Sequence, residues 1–217
     1  MINENFDRKG RFLSFEGIEG SGKTTQIKLL EEKLMSLGFE VSVLREPGGT
    51  EFGEGLRQSI LQSKAKLHPI TEAHLFCSSR SQLLYEKIIP FLEQDHKNIV
   101  IVDRFIDSSL AYQGMARGLG IDTVLELHKN FPLTIRPQRT FYLSISAETS
   151  LQRQNLRGEE KDYFEKEKKD FTQMLIAGFE QCSQKFKDRF IHIDGEQASE
   201  HVHHDIIKEL RQAGVIS

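Results

Sequence analysis

The chain has 217 residues, with 29 Lys plus Arg against 32 Asp plus Glu and a formal charge of −3. That length suits one sizeable domain, which can bury roughly 70% of its unfolded surface and needs no disulfide or metal to fold. The near-balanced charge excludes a general nucleic-acid binder, which carries a large basic excess, and no apolar run is long enough to span a bilayer.

In chain order, residues 1–10 (MINENFDRKG) read as a loose polar tail without the apolar stretch of a signal peptide. Residues 11–217 read as a single domain. Residues 11–16 (RFLSFE) form a first strand that runs into a glycine cluster. Residues 24–37 follow as an amphipathic helix, with Ile27, Leu30, Leu34 and Leu37 on one face, and Gly38 stops it. Residues 39–44 are a second strand, ended by Pro47-Gly48-Gly49. Helices are predicted over 51–62 and 71–93, the latter kinked by Pro90. Residues 98–102 (NIVIV) are a strand buried on both faces. Short helices follow at 108–112 and 121–129, then a strand at 140–145. Helices at 147–157 and 163–187, a strand at 190–193 and a helix at 199–212 complete the chain. The two cysteines, Cys77 and Cys182, lie far apart and outside metal-ligand spacing, as reduced structural thiols of a cytoplasmic protein would.

Alternating strands and helices predict a five-stranded parallel sheet with helices on both faces. Ligands of such sheets bind beyond the carboxyl ends of the strands. That rule selects the residues after Glu16, Leu44 and Val102.

After Glu16 comes Gly17-Ile18-Glu19-Gly20-Ser21-Gly22-Lys23-Thr24, which matches G-x-x-x-x-G-K-[ST]. Glycines let consecutive N–H groups turn toward phosphate oxygens, and the following helix adds its N-terminal N–H groups. Lys23 supplies a full charge, and the Thr24 hydroxyl can ligate Mg²⁺. The motif indicates nucleoside triphosphate binding and leaves kinase, switch and motor open. Asp103-Arg104 follows the buried strand, where a carboxylate organises Mg²⁺ and a guanidinium can bridge two phosphates. Arg45 ends the second strand with its charge available to a second phosphate. Phe76 and Arg80 share one helix face, suited to stacking on a base and hydrogen-bonding its edge. Taken alone, that pair also fits a core phenylalanine with a snorkelling arginine. Ser109 and Tyr112 are near neighbours on the next short helix. His201, His203, His204 and Asp205 look like a metal cluster, but they sit on the closing helix, away from every strand end named above.

Taken together, FEGIEGSGKTTQ, REPGGT, FCSSRSQL, VDRF and SSLAYQG resemble the thymidylate kinase family, most closely its bacterial members, in order from Phe12 to Leu210. The resemblance implies a P-loop NTPase-type α/β fold with a short helical lid at about 150–170. It implies phosphoryl transfer from Mg-ATP to dTMP, giving dTDP and ADP, in a cytoplasmic homodimer with neither nucleic-acid nor membrane partners. On this chain it places Gly17, Ile18, Glu19, Gly20, Ser21, Gly22, Lys23 and Thr24 on the ATP phosphates. Thr24 and Asp103 go to the metal. Glu19, Arg45, Phe76, Arg80, Arg104, Ser109 and Tyr112 go to dTMP, with Tyr112 against the sugar C2′. The loop interior has no arginine, so the resemblance assigns Arg153 or Arg157 to a lid that closes over the γ-phosphate, alongside Lys23 and Arg104. Lys161 stands where an arginine is usual in the lid. Two rivals remain, a kinase for another nucleoside monophosphate and a nucleotide switch. A guanine-binding switch would carry an Asn-Lys-x-Asp motif, and the sequence has none.

Overall fold

The computed structural model describes residues 6–63, 67–157 and 169–216. Its strands are β1 (Arg11–Glu16), β2 (Glu40–Arg45), β3 (Asn98–Asp103), β4 (Arg139–Ser144) and β5 (Phe190–Asp194). All described pairings are parallel, in the order β2-β3-β1-β4-β5. Side chains alternate across the sheet because a strand has a two-residue period. Phe12, Val100, Val102 and Tyr142 enter one core, while Leu13, Phe15, Ile99, Ile101, Phe141 and Leu143 enter the other. The second core is closed by α1 (Lys23–Ser36) through Ile27, Leu30 and Leu34, and by α9 (Ser199–Gln212) through Val202, Ile206 and Leu210. Of the stripe read from the sequence, Ile27, Leu30 and Leu34 are buried, while Leu37 lies just past the end of α1 and is exposed; helices cover the sheet as an α/β fold of the P-loop type requires.

The opposite face holds the remaining helices: α2 (Glu51–Gln62), α3 (Pro69–Leu83), α4 (Ile89–Gln94), α5 (Ile106–Ser109), α6 (Ile121–Glu126), α7 (Ala147–Arg157) and α8 (Lys169–Lys185). Thr50, the last residue of REPGGT, starts α2. Its hydroxyl accepts from the Gly53 N–H at 3.0 Å, a cap typically contributing about 1 kcal/mol. The helix predicted over 71–93 is divided. Leu84–Ile88 forms a π-helical turn between α3 and α4. Pro90 has no N–H and its ring crowds the preceding turn, so the ladder widens just before it.

A second π-helical segment, Leu110–Ala116, follows α5 and carries Tyr112 and Gln113. Helix α8 packs closely on it at Gly178, where an added Cβ would lie 2.9 Å from the Ala111 Cα. The loose tail expected over residues 1–10 does not extend to its second half. Phe6 packs against the core, the Lys9 and Gly10 N–H groups donate to the Leu92 carbonyl, and Arg8 donates to the Arg136 carbonyl. Residues 1–5 lie outside the described residues, as does the central part of the expected lid, 158–168, which includes Lys161.

Candidate active site

The phosphate loop joins the carboxyl end of β1 to α1. Gly17 has φ 144° and an added Cβ there would meet the Leu143 carbonyl at 2.6 Å, so only glycine fits. Gly22, at φ 93°, caps α1 in the left-handed region without a side chain. The first helical hydrogen bond runs from the Gln26 N–H to the Gly22 carbonyl at 3.1 Å. The amides of Lys23, Thr24 and Thr25 therefore precede the ladder and open onto the loop. The Lys23 ammonium is buried and donates to the Gly17 carbonyl at 3.0 Å, the Ile18 carbonyl at 3.2 Å and the Ser21 hydroxyl at 3.4 Å. Burial first, and the Arg104 charge second, push its pKa down to about 8.

The turn after β3 packs against the same loop. Its Arg104 has φ 66°, rare for a residue with a Cβ and typical of strain held at a site. Its guanidinium donates to the Gly17 carbonyl at 3.2 Å and the Ser108 hydroxyl at 3.4 Å, pairs with Glu19 at 3.6 Å and lies 5.3 Å from the Tyr112 ring centroid. Glu16 anchors the turn from below. Its carboxylate accepts from the Phe105 N–H at 2.8 Å, the Ser108 N–H at 3.2 Å and the Ser108 hydroxyl at 2.6 Å. Burial, then the nearby Asp107 charge, raise the Glu16 pKa to about 8.

Asp103 ends β3 with its Oδ1 buried and without a hydrogen-bond partner. An open carboxylate lone pair beside Lys23 and the phosphate loop suits a hard cation or its bound water. The Thr24 hydroxyl, in the exposed first turn of α1, is an oxygen donor of the same kind. Among the described residues no group of three or more His, Cys, Asp or Glu is arranged to hold an ion. Mg²⁺ shared with nucleotide phosphates needs only one or two protein oxygens, so Thr24 and Asp103 fit that ion.

A cleft of about 410 Å³ extends from this loop across the sheet end. Ile18, Glu19 and Arg104 line its phosphate-loop end, and Phe76, Arg80, Ser109, Tyr112 and Gln113 line its other end. Arg80 is 1% exposed. Its Nε donates to Glu46 Oε2 at 2.7 Å, and its Nη2 pairs with the same oxygen at 2.5 Å. Burial raises the Glu46 pKa to about 7 against the pull of Arg80. Both terminal nitrogens of Arg80 donate to the Ser109 hydroxyl at 3.1 Å. Phe76 is buried on the same helix and lines the cleft. The residues that sequence spacing pairs on helix faces thus converge on one cavity.

The structure does not bring Arg45 into the cleft. It is exposed at the edge of the sheet and pairs with Glu54 at 2.8 Å. Arg57 lines the cleft instead, and its guanidinium donates to the Pro47 carbonyl at 3.3 Å. Arg45 belongs to the edge strand β2, whereas α2 turns back over the strand end and carries Arg57 inward. The signal for Arg57 was present, since it shares the inward helix face with Ile60 and Leu61. Arg153 is tied down rather than held above the loop. It donates to the Gly20 carbonyl at 3.1 Å and the Gly195 carbonyl at 3.0 Å, and Ser150 donates to the Glu19 carbonyl at 2.7 Å. Arg157 ends α7 at the boundary of the described residues.

Two further cleft contacts were not legible in the sequence. Gln113 donates to Glu72 at 2.7 Å, and Glu46 holds Arg80 across 34 positions. Both pairings are made by folding and leave no local spacing signal.

The family model described as thymidylate kinase matches residues 15–206. A thymidylate kinase of Thermoanaerobacter sp. (strain X514) is 45% identical over 204 residues, covering 94% of this chain and 98% of that protein. One from Caldanaerobacter subterraneus subsp. tengcongensis is 43% identical, covering 94% and 96%. One from Bacillus licheniformis is 42% identical over 193 residues, covering 88% and 90%.

Proposed function

The chain belongs to the thymidylate kinase family, and on that premise we propose how its cleft seats dTMP beside the ATP phosphate loop for direct transfer between them. The reaction is phosphorylation of dTMP by ATP to give dTDP and ADP. The observation that carries the reading is the continuity of the cleft. One cavity is lined at one end by Ile18, Glu19 and Arg104 of the phosphate loop and its neighbour, and at the other by Phe76, Arg80, Ser109 and Tyr112. A switch that binds one nucleotide has no use for that second compartment.

In this reading residues 17–24 wrap the ATP phosphates with backbone N–H groups, and Lys23 leaves its loop carbonyls to meet phosphate charge. Arg104 reaches both phosphates, since its strained backbone sets the guanidinium between the loop and the cleft. Arg57 takes the acceptor-phosphate role first expected of Arg45. Phe76 stacks on the base, Arg80 and Ser109 meet its edge, and Glu19 and Tyr112 contact the sugar. An ionised phosphate is already a good nucleophile, so positioning and charge stabilisation do the chemistry and no strong base is needed. The family's ATP chemistry needs a divalent metal; Thr24 and Asp103 would hold Mg²⁺, which would supply neutralisation of the phosphate charge.

The segment 150–170 is the proposed lid. Ser150 and Arg153 fasten its first turns to the loop, which leaves Arg157, of the expected pair Arg153 and Arg157, to close over the γ-phosphate. Closure excludes water that would otherwise hydrolyse ATP. A cytoplasmic setting is supported by Cys77 and Cys182, both buried and unbridged. Homodimerisation rests on the family resemblance, and sedimentation of the purified chain tests it.

A coupled assay across dTMP, dUMP, dCMP and AMP tests the substrate. We expect the highest kcat/KM for dTMP. Equal turnover of AMP would overturn the pyrimidine reading, and steady ATP hydrolysis without any acceptor would restore the switch.

A further inference from the structure

Behind Arg80, on the side away from the cleft, lies His128. It is 1% exposed, follows α6, and does not line the cavity. Its Nε2 is 2.7 Å from Arg80 Nη1 and its Nδ1 is 2.8 Å from the Val124 carbonyl. A guanidinium can only donate, so Nε2 accepts and the ring proton sits on Nδ1, where it donates to Val124. The Cys77 thiol lies 3.7 Å from the same Nε2. We propose that His128 is a positioning residue for base selection, which locks the Arg80 guanidinium in the orientation that presents its remaining N–H groups to the 4-carbonyl of a thymine or uracil ring.

The donor count supports this. Arg80 has five N–H bonds. Nε and one Nη2 hydrogen go to Glu46, and one Nη1 hydrogen goes to His128. The two left, one on each terminal nitrogen, converge on Ser109 Oγ at 3.1 Å, at the cleft wall. Those two are the only donors of Arg80 directed at the cavity. With Glu46 alone, the guanidinium could pivot about one carboxylate oxygen, because both contacts use Oε2 and Oε1 has no partner. His128 supplies the second fixed point on the opposite edge. The imidazole suits this task because it stays neutral: burial, then the Arg80 charge, push its pKa down to about 3. A fixed pair of donors rejects a ring that presents an amino group at the same place, as cytosine does, because donor would face donor.

The inference rests on the reading that Arg80 meets the base edge. Its test is steady-state kinetics of His128→Phe and His128→Gln, with Arg80→Met in parallel. Phenylalanine keeps the ring and removes the acceptor, while the Gln Oε1 reaches the place of the imidazole Nε2. We expect His128→Phe to raise KM for dTMP about 10- to 100-fold, the value of one hydrogen bond to a charged group, and to lower the dTMP-over-dCMP preference in step. KM for ATP and kcat should stay within about threefold of wild type, a difference below 1 kcal/mol. His128→Gln should recover most of both losses. Unchanged KM and preference in His128→Phe, with only a lower unfolding temperature, would reduce His128 to packing. Equal losses in the Phe and Gln variants would overturn the acceptor role.

If Arg80→Met leaves dTMP binding and preference intact, the base-edge reading fails and this inference falls with it. If Arg80→Met loses both and His128→Phe neither, only the inference fails. Should His128→Phe not fold, ¹⁵N-histidine NMR of the wild-type chain decides. A neutral Nδ1–H ring persisting at pH 5 supports the lock, and a protonated or Nε2–H ring overturns it.

Discussion

Lys23 is the residue at which function and stability should part. Replace it with methionine, which has similar length and no charge. In the ligand-free loop Lys23 is 6% exposed and its pKa is pushed down from 10.5 to about 8. Keeping it charged there costs on the order of 3 kcal/mol at neutral pH, by the equivalence of a pKa change to free energy. Its removal leaves few broken contacts. The Gly17 carbonyl still accepts from Arg104 at 3.2 Å, and the Ile18 carbonyl from the Ser21 N–H at 3.3 Å. Lys23→Met should therefore raise the unfolding temperature by about 6 to 12 °C, at roughly 2–4 °C per kcal/mol for a chain of this size.

The sign follows from the proton balance. The folded pKa lies below the unfolded one, so the unfolded chain binds more protons between about pH 8 and 10.5. Wild-type stability recovers as pH rises through that window. The advantage of methionine is thus full below pH 8 and fades above it. Turnover should fall by orders of magnitude, because the phosphate charge loses its nearest counter-ion. In the wild type, kcat/KM for ATP should decline above pH 8 as the free enzyme's Lys23 loses its proton. The assays are calorimetry at pH 7 and pH 9.5, and coupled kinetics. A variant that unfolds several degrees earlier at pH 7 would refute the energetic reasoning, and near-normal turnover would refute the catalytic role.

Arg104→Ala should keep the fold and lose turnover by orders of magnitude, read as kcat in the coupled assay. Alanine keeps a Cβ and so leaves the left-handed strain at φ 66° in place; the variant's unfolding temperature should fall only by what the part-buried contacts to Gly17 and Ser108 contribute. Tyr112→Ala should relax discrimination against the ribonucleotide of thymine, read as the ratio of kcat/KM values for the deoxy and ribo substrates; an unchanged ratio would remove Tyr112 from sugar selection. Gly178→Val should lower stability by about 1–3 kcal/mol, the usual cost of overpacking. Its Cβ would stand 2.9 Å from the Ala111 Cα, and thermal unfolding measures the loss.

Much of the fold was legible because it is written in local periods. The strand over 11–16 and the helices over 51–62, 147–157 and 199–212 coincide with β1, α2, α7 and α9. β1 is a short apolar run that ends at the glycine cluster, α2 starts at the Thr50 cap, and α9 buries Val202, Ile206, Ile207 and Leu210 along one face. The long helix over 71–93 was harder. Pro90 announces a disturbance, but whether a chain kinks or widens into a π turn depends on what packs against it.

The candidate site divides along the same line. The phosphate loop is dictated by contiguous residues, since glycines at 17, 20 and 22 and a lysine at 23 suffice to curl a backbone around phosphate. Phe76, Arg80, Ser109 and Tyr112 were placed by helical spacing and resemblance, and tertiary structure brings them to one cavity. Arg45 went astray because a strand end can point to either side of a sheet edge, and the neighbours decide which. Glu46, Gln113 and His128 entered only with the fold, and Arg57, although its helix face is legible in the sequence, was singled out only there. The contacts that bring them to the site cross 10 positions for Arg57 and Pro47, 34 for Glu46 and Arg80, 41 for Gln113 and Glu72, and 48 for His128 and Arg80. The opening charge balance of −3 was silent on all of this. Net charge sums over a surface where most ions are solvated. In the proposed site Arg57, Arg80 and Arg104 converge on one cleft beside the loop that carries Lys23, and convergence of distant residues is a property of packing, which the linear order of a chain does not contain.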